Sequence, residues 1–177
     1  IMKTFVSRGG LKLQHALEKF QVSVQDKMVL DVGASTGGFV DCLLQNGTSK
    51  VFALDTAYGE LAWKLRNDER VVVMERTNIL HLGSLPEQVD LITIDAGWTK
   101  LELILPIVKN FLKEDGKIIA LLKPHYEAEK RDLVKGVLPE EEAEEVKEKV
   151  LGKISELNYK VEQIIDSPIL GGAGNKE

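Results

Sequence analysis

The sequence predicts an α/β fold built on a doubly wound, mostly parallel sheet, and three observations support this. Short apolar runs alternate along the chain with amphipathic stretches of helical period, which is the pattern of βαβ units. The apolar runs are continuous in Val, Ile and Leu, as expected of strands that are covered on both faces. Charged or glycine-rich residues directly follow several runs, at the edge where such sheets bind ligands.

Each apolar run is predicted to be a strand, and each amphipathic stretch a helix. The predicted strands are residues 28–32, 51–55, 71–75, 89–95, 117–123 and 160–166. The predicted helices are residues 11–20, 38–45, 60–66, 101–112 and 140–157. In the last helix Ala143, Val146 and Val150 recur at helical spacing, so the acidic residues around them are expected on its solvated face.

The bulk properties indicate one domain over residues 1–177, in which residues 1–20 form a leading segment and helix. A length of 177 residues is close to the commonest domain size. The single cysteine, Cys42, excludes a disulfide framework and a thiolate metal cluster, and no metal site is expected. No run approaches the ~20 apolar residues of a membrane span. With no signal-peptide pattern, a cytoplasmic location without membrane contact is expected.

A glycine-rich segment after the first predicted strand is the leading candidate for a ligand loop. Asp31 and Val32 lead into Gly33, Ala34, Ser35, Thr36, Gly37, Gly38 and Phe39. Glycines allow the backbone to turn sharply and to approach a ligand closely. The spacing Gly-x-x-x-Gly-Gly differs from the dinucleotide and P-loop patterns, and no phosphate-binding lysine follows. The loop therefore favours a ligand without a pyrophosphate and disfavours an NAD dehydrogenase.

Polar residues also stand at the ends of the next strands. Asp55 is placed to accept hydrogen bonds from ribose hydroxyls, and Asn78 with Ile79 is placed to bracket an adenine. Asp95 and Lys123 are the last residues of two further predicted strands. A charged side chain at the end of an apolar strand seldom serves only for packing. Because the carboxyl ends of parallel strands share one edge, we expect all five residues at one site.

Six blocks of sequence occur in the order of a known family. They are VSRGGLKL at 6–13, LDVGASTGGF at 30–39, RTNI at 76–79, TID at 93–95, LKP at 122–124 and GNKE at 174–177. In this combination the chain resembles the methyltransferase domain of the TlyA-type, hemolysin A-like RNA 2′-O-methyltransferases of the FtsJ-like group. The resemblance does not include that family's S4 RNA-binding module, and the last strand of the family's sheet is expected to be missing.

The resemblance implies a Rossmann-like fold, S-adenosyl-L-methionine as cofactor, and ribose 2′-hydroxyls of RNA, such as rRNA, as substrate. It implies a Lys-Asp-Lys-Glu tetrad of Lys12, Asp95, Lys123 and Glu177. The implied cofactor residues are Asp31, Gly33, Ala34, Ser35, Thr36, Gly37, Gly38, Phe39, Asp55, Asn78, Ile79 and Asp95. By hypothesis, Lys123 in its neutral form steers or accepts the 2′-hydroxyl proton. The competing role for Lys123 is to orient the substrate while charged.

Substrate contacts are expected from Arg8, Trp98, His125 and Tyr126, since aromatic rings stack on unpaired bases. The stretch Ala96-Gly97-Trp98 differs from the Val-Ser-Phe associated with the rRNA enzymes, which leaves a small molecule or another RNA open as substrate. A non-catalytic cofactor-binding protein is a further alternative, which the complete tetrad disfavours. A pore-forming hemolysin is disfavoured because no segment is long and apolar enough to insert. The sequence leaves the oligomeric state open.

Overall fold

The computed structural model describes residues 2–177, and a five-stranded parallel sheet lies at its centre. The strands are β1 (Met28–Val32), β2 (Lys50–Leu54), β3 (Val71–Met74), β4 (Val89–Ile94) and β5 (Leu112–Ala120). Their order is β3-β2-β1-β4-β5, and every neighbouring pair is parallel. The winding direction therefore reverses between β1 and β4, which is where such sheets place their ligands. The predicted fold class is confirmed.

Helices cover both faces of this sheet, as both-face burial of parallel strands requires. They are α1 (Gly9–Phe20), α2 (Gly38–Gln45), α3 (Trp63–Arg66), α4 (Leu101–Val108), α5 (Pro124–Glu127) and α6 (Glu140–Glu156). Short 3₁₀ turns lie at Ile79–His81, Lys109–Phe111, Lys130–Asp132 and Gly172–Gly174. Within residues 2–177, none of the helices combines the length and the apolar character needed to cross a membrane.

The apolar core consists of two layers, one on each face of the sheet. Because side chains alternate along a strand, Val29 packs with α1, α2 and α3, whereas Leu30 packs with α4 and α6. Cys42 on α2 is fully buried in the first layer. The carboxyl ends of the parallel strands lie along one edge of the sheet, so the residues that follow neighbouring strands lie close to one another.

The prediction of a sixth strand at residues 160–166 is wrong, because this segment pairs with no strand in the described chain. The segment runs beside β5, to which the Lys117–Glu162 ion pair ties it, but an open groove lined by both separates the two. Val161 and Ile164 stay exposed. β5 has an unpaired outer edge, but the groove keeps residues 160–166 out of hydrogen-bonding distance of it, so this apolar run has no partner strand.

Two predicted boundaries also differ from the structure around β5. The strand begins at Leu112 and ends at Ala120, so Lys123 lies beyond it rather than at its last position. The preceding helix ends at Val108, two residues after the internal Pro106, and continues as a 3₁₀ turn. Lys123 instead precedes α5, a one-turn helix that the sequence analysis missed and that Pro124 begins.

Candidate active site

The glycine loop between β1 and α2 is the centre of the site, and backbone contacts hold it in place. The amides of Gly33 and Ala34 both donate to the carbonyl of Leu54, at 2.9 and 3.0 Å. Gly33 has a φ of +88°, and a Cβ built on it would lie 2.3 Å from the carbonyl oxygen of Asp95. Only glycine fits there, because both the positive φ and the close approach exclude a side chain. The loop is thus held against the ends of β2 and β4.

The second half of the loop packs against the leading helix. A Cβ on Gly37, whose φ is +105°, would lie 2.3 Å from a methyl group of Leu65. A Cβ on Gly38 would lie 2.8 Å from the backbone nitrogen of Gly10 in α1. Ala34 and Phe39 are buried in the core, while Ser35 and Thr36 are exposed at the tip of the loop. The loop and the start of α1 therefore form one packed unit.

Asp55 links the glycine loop to the loop that follows β2. Its Oδ2 accepts from the amide of Ser35 at 2.7 Å, and its Oδ1 accepts from the amide of Ala57 at 2.8 Å. A carboxylate oxygen has two lone pairs, so each oxygen can still accept one further hydrogen bond. Contact of Asp55 with a ribose stays a prediction.

Asn78 and Ile79 follow β3 at the same edge of the sheet. The side chain of Asn78 accepts from the amide of Leu80 at 3.0 Å and so begins the 3₁₀ turn. Ile79 is buried in the second core layer, while Asn78 remains exposed. The predicted contact of both residues with an adenine is untested.

Asp31 is the buried acid of the site. It lies in β1 with no exposed surface, and its Oδ1 accepts from the hydroxyl of Thr93 at 2.7 Å. Its Oδ2 has no hydrogen-bond partner within residues 2–177. Burial raises the pKa of Asp31 to about 7, the Thr93 hydrogen bond opposes this, and the charges of Asp95 and Asp55 add to it. Asp31 is therefore an acid that can change its charge near neutral pH.

The four predicted tetrad residues form two ion pairs, although they come from four distant parts of the chain. The Nζ of Lys123 lies 2.5 Å from Oδ1 of Asp95, in an ion-pair contact without hydrogen-bond geometry. Lys12 pairs with Glu177, and both side chains are largely buried. The backbone places the first pair, since the amide of Asp95 donates to the carbonyl of Val32 at 2.9 Å. Buried ion pairs of this kind are more typical of functional sites than of stabilising contacts.

His125 lies next to both pairs. Its side chain is 6% exposed, and its Nδ1 has no partner in the described chain. Burial lowers the pKa of His125, and the charges of Lys123 and Lys12 lower it further against the opposing charge of Glu177. The imidazole is therefore neutral at pH 7. Because it is buried, His125 supports the neighbouring Tyr126, with ring centroids 4.3 Å apart.

Trp98 and Tyr126, supported from below by the buried His125, form an aromatic surface that we call the aromatic ledge. The rings of Trp98 and Tyr126 lie 4.5 Å apart between centroids, with 43° between their planes. Trp98 is 67% exposed, although tryptophan is normally well buried, and its φ is +58°. The Nζ of Lys130 lies 5.0 Å from the centroid of the Trp98 ring. An exposed, backbone-strained tryptophan next to a charged site is a mark of function rather than of packing.

Cations without a carboxylate partner surround the site. Among residues 2–177, six that follow the carboxyl ends of strands or precede α1 have no carboxylate within 4 Å: Lys3, Arg8, Arg76, Lys100, Lys130 and Lys135. At the opposite edge of the sheet, Lys50 pairs with Glu87 and Lys113 with Asp90. Unpaired cations are therefore available around the site although the chain has a net charge of −5.

Comparison with known proteins gives the family. A profile of the FtsJ-like methyltransferases matches residues 5–177, nearly the whole chain. The chain belongs to the FtsJ-like methyltransferase family. The family that the six sequence blocks predict is thus confirmed.

Curated relatives and solved structures of this family are closely similar to the chain. The "16S/23S rRNA (cytidine-2'-O)-methyltransferase TlyA" of Mycobacterium tuberculosis is 40% identical over 182 residues, which cover 99% of this chain and 67% of that protein. YqxC of Bacillus subtilis, named as a candidate rRNA methyltransferase, is 44% identical over 98% of this chain and 63% of its own length. The chain thus spans about two thirds of these relatives. A crystal structure of a candidate hemolysin from Lactococcus lactis superposes with a TM-score of 0.92 at 41% identity, over 97% of this chain and 85% of that one.

S-adenosylmethionine is the cofactor of this FtsJ-like domain, and the residues at the glycine loop fit it. Gly33 and Gly37 let the loop pack directly against the carbonyl oxygen of Asp95 and against Leu65, which fixes the loop beside the ends of β2 and β4. The carboxyl groups of Asp31, Asp55 and Asp95 lie close to this loop, and their negative charge suits a ligand with a positively charged sulfonium. The residues that would hold the cofactor are those of the loop together with these three aspartates.

Asn175 is a residue whose role the sequence analysis missed, although it belongs to the last matched block. It is buried, accepts from the amide of Leu138 at 3.0 Å and donates to the carbonyl of Gly136 at 3.0 Å. These bonds fix the segment that carries Glu177. Gly171 leaves room for that carboxylate, since a Cβ there would lie 1.9 Å from Glu177 Oε1.

Asn175→Ala is expected to destabilise the FtsJ-like domain by about 1–3 kcal/mol, since it leaves the buried Leu138 amide without an acceptor. Urea unfolding measures this. Asn67→Ala is the matched control, because its amide makes only an exposed bond to the carbonyl of Trp63. That control should stay within about 0.5 kcal/mol of wild type. Equal stabilities of the two variants would contradict the anchoring role.

Proposed function

We propose that this chain is the catalytic domain of an RNA ribose 2′-O-methyltransferase that acts on rRNA. The observation that carries the proposal is the position of the Lys123–Asp95 pair between the glycine loop and the aromatic ledge. A methyl donor on the loop and a nucleotide on the ledge would meet at this pair. The name of the M. tuberculosis relative, an rRNA (cytidine-2'-O)-methyltransferase, supports the same reaction.

The bound cofactor supplies a methyl group that its sulfonium already activates. The protein then has to hold the 2′-oxygen in line with that methyl group, and alignment of this kind contributes roughly 7–11 kcal/mol. A ribose hydroxyl becomes a good nucleophile only as it loses its proton. Lys123 is placed to accept or steer that proton, and Asp95 fixes the position of its Nζ. The Lys12–Glu177 pair supports the neighbouring wall of the site.

The acceptor nucleotide would be held by stacking and by charge. The exposed face of Trp98 offers a surface for one unpaired base, and Tyr126 extends it towards Lys123. Arg8, Lys100 and Lys130 have no carboxylate partner within 4 Å in the described chain, so they are free to contact phosphates. The cytoplasmic location and the RNA partner remain predictions, and the proposed function assumes both of them.

The proposal is tested by methyl transfer from labelled S-adenosylmethionine to ribosomal subunits, total RNA and a small-metabolite pool. We expect the label in rRNA, in alkali-resistant dinucleotides, because a 2′-O-methyl group blocks cleavage at that nucleotide. Label that enters only the metabolite pool would overturn the RNA assignment and leave the family assignment unaffected. Cofactor binding without any transfer would favour the non-catalytic alternative.

Trp98→Ala should weaken RNA binding by about 5- to 150-fold, since stacking contributes about 1–3 kcal/mol per base. The dissociation constant for S-adenosylmethionine should stay unchanged, because the ring lies on the acceptor side of Asp95. Titration with RNA and with cofactor measures both constants. Trp63→Ala is the matched control, since Trp63 is 78% exposed but lies on α3. If both variants lose RNA affinity equally, the aromatic ledge is not the acceptor surface.

A further inference from the structure

Asp31 is a buried acid that neither the ion pairs nor the substrate contacts explain. It is fully buried beside the glycine loop, and in residues 2–177 one of its carboxyl oxygens has no partner. Buried carboxyl groups are normally hydrogen-bonded on both oxygens or paired with a cation. An unpaired oxygen at a ligand loop indicates that this acid responds to a charge brought by the ligand.

The groups that face Asp31 on the sheet are mostly acidic. Asp55 follows β2 and Asp95 follows β4, the two strands that flank β1, and both charges disfavour ionisation of Asp31. Within residues 2–177, the contact that favours ionisation is the hydrogen bond from the hydroxyl of Thr93 on β4. Without a ligand, three carboxyl groups at one edge repel one another, so Asp31 keeps its proton up to about pH 7.

The unpaired cations near the site, such as Arg8 and Lys100, are not among the groups that shift the pKa of Asp31. The charged side chains on the helices around this edge are paired in the described chain. Lys12 on α1 is paired with Glu177, and the buried Asp41 on α2 is paired with Lys64. Lys123, before α5, is paired with Asp95. His125 on α5 is neutral at pH 7, since burial lowers its pKa. A cation from outside is therefore the group that would change the charge of Asp31.

We infer that Asp31 is a proton-linked charge sensor that favours the sulfonium of S-adenosylmethionine over the neutral thioether of the product. When the cationic cofactor binds, Asp31 releases its proton to solvent and remains as a carboxylate. After methyl transfer the sulfur carries no charge, so Asp31 takes a proton back and the attraction is lost. This binding step discriminates cofactor from product and favours product release. It rests on the cofactor alone, so RNA need not be present to test it.

Isothermal titration of the whole chain with S-adenosylmethionine and with S-adenosylhomocysteine, in two buffers of different ionisation enthalpy, tests the inference. At pH 7 we expect release of about half a proton with the cofactor and almost none with the product. The ratio of the two affinities should shift towards the cofactor by about five- to tenfold between pH 6 and pH 7.5. Proton release that is equal for both ligands would overturn the inference.

Three variants assign the effect to Asp31. In Asp31→Asn the proton release and the pH dependence of the affinity ratio should both disappear. In Thr93→Val the pH at the midpoint of the change in affinity ratio should move upwards, because a hydrogen bond that favours the ionised form of Asp31 is lost. This second variant tests the inference even if Asp31→Asn does not fold. Asp90→Asn is the matched control, because it removes a carboxyl group at the opposite edge of the sheet, beside Lys113. Its proton release and its affinity ratio should equal those of the wild type. Proton release that persists in Asp31→Asn, or an unmoved midpoint in Thr93→Val, would refute the assignment.

Discussion

Lys123→Met is expected to abolish methyl transfer, with a loss of about 10²- to 10⁴-fold in rate, while cofactor binding persists. The reason is that the proposed mechanism assigns the hydroxyl proton to Lys123, which Asp95 holds in place, and proton transfer by a positioned side chain contributes rate factors of this size. Methionine keeps the length of the side chain but not its charge. Single-turnover transfer to rRNA measures the rate, and titration with S-adenosylmethionine measures binding.

Two further variants separate the roles that remain open for Lys123. Arginine keeps the positive charge but cannot be deprotonated, so Lys123→Arg should also be inactive if Lys123 accepts the proton. An active Lys123→Arg enzyme would show instead that a fixed positive charge suffices. Lys113→Met is the matched control, since Lys113 lies at the other end of β5 and pairs with Asp90. Full activity of Lys123→Met would remove this residue from the mechanism.

Gly33→Ala is expected to lower the free energy of unfolding by about 2–5 kcal/mol and to prevent cofactor binding. A Cβ at this position would overlap the carbonyl oxygen of Asp95, and its φ of +88° is unfavourable for alanine. Relief of the overlap moves the end of β4 and with it the Lys123–Asp95 pair. Urea unfolding and cofactor titration measure the two effects.

Gly59→Ala separates the overlap from the backbone strain. Gly59 also has a positive φ, +75°, but a Cβ there would have no neighbour within 4 Å. We expect this variant to lose only about 1–2 kcal/mol and to bind the cofactor normally. Equal losses in the two variants would show that backbone conformation alone, and not the contact with Asp95, requires glycine at position 33.

The sequence was sufficient where the signal is local. Continuous apolar runs identified β1 to β4 to within one residue at each end, because a strand covered on both faces requires such a run. The same reasoning failed at residues 160–166, because a groove separates this equally strand-like segment from the unpaired edge of β5. It also missed α5, since four residues are too few to show a helical period.

The sequence by itself determined the fold class, the glycine loop and which residues are candidates for the chemistry. Only the tertiary structure decided how those residues are paired, with Lys12 joined to Glu177 across the length of the chain and Lys123 joined to Asp95. It also decided that Asp31 and His125 are buried and that Trp98 is exposed. The physical reason is that residue type and spacing fix local conformation, whereas charge pairing, burial and pKa depend on neighbours that the fold brings from distant parts of the chain.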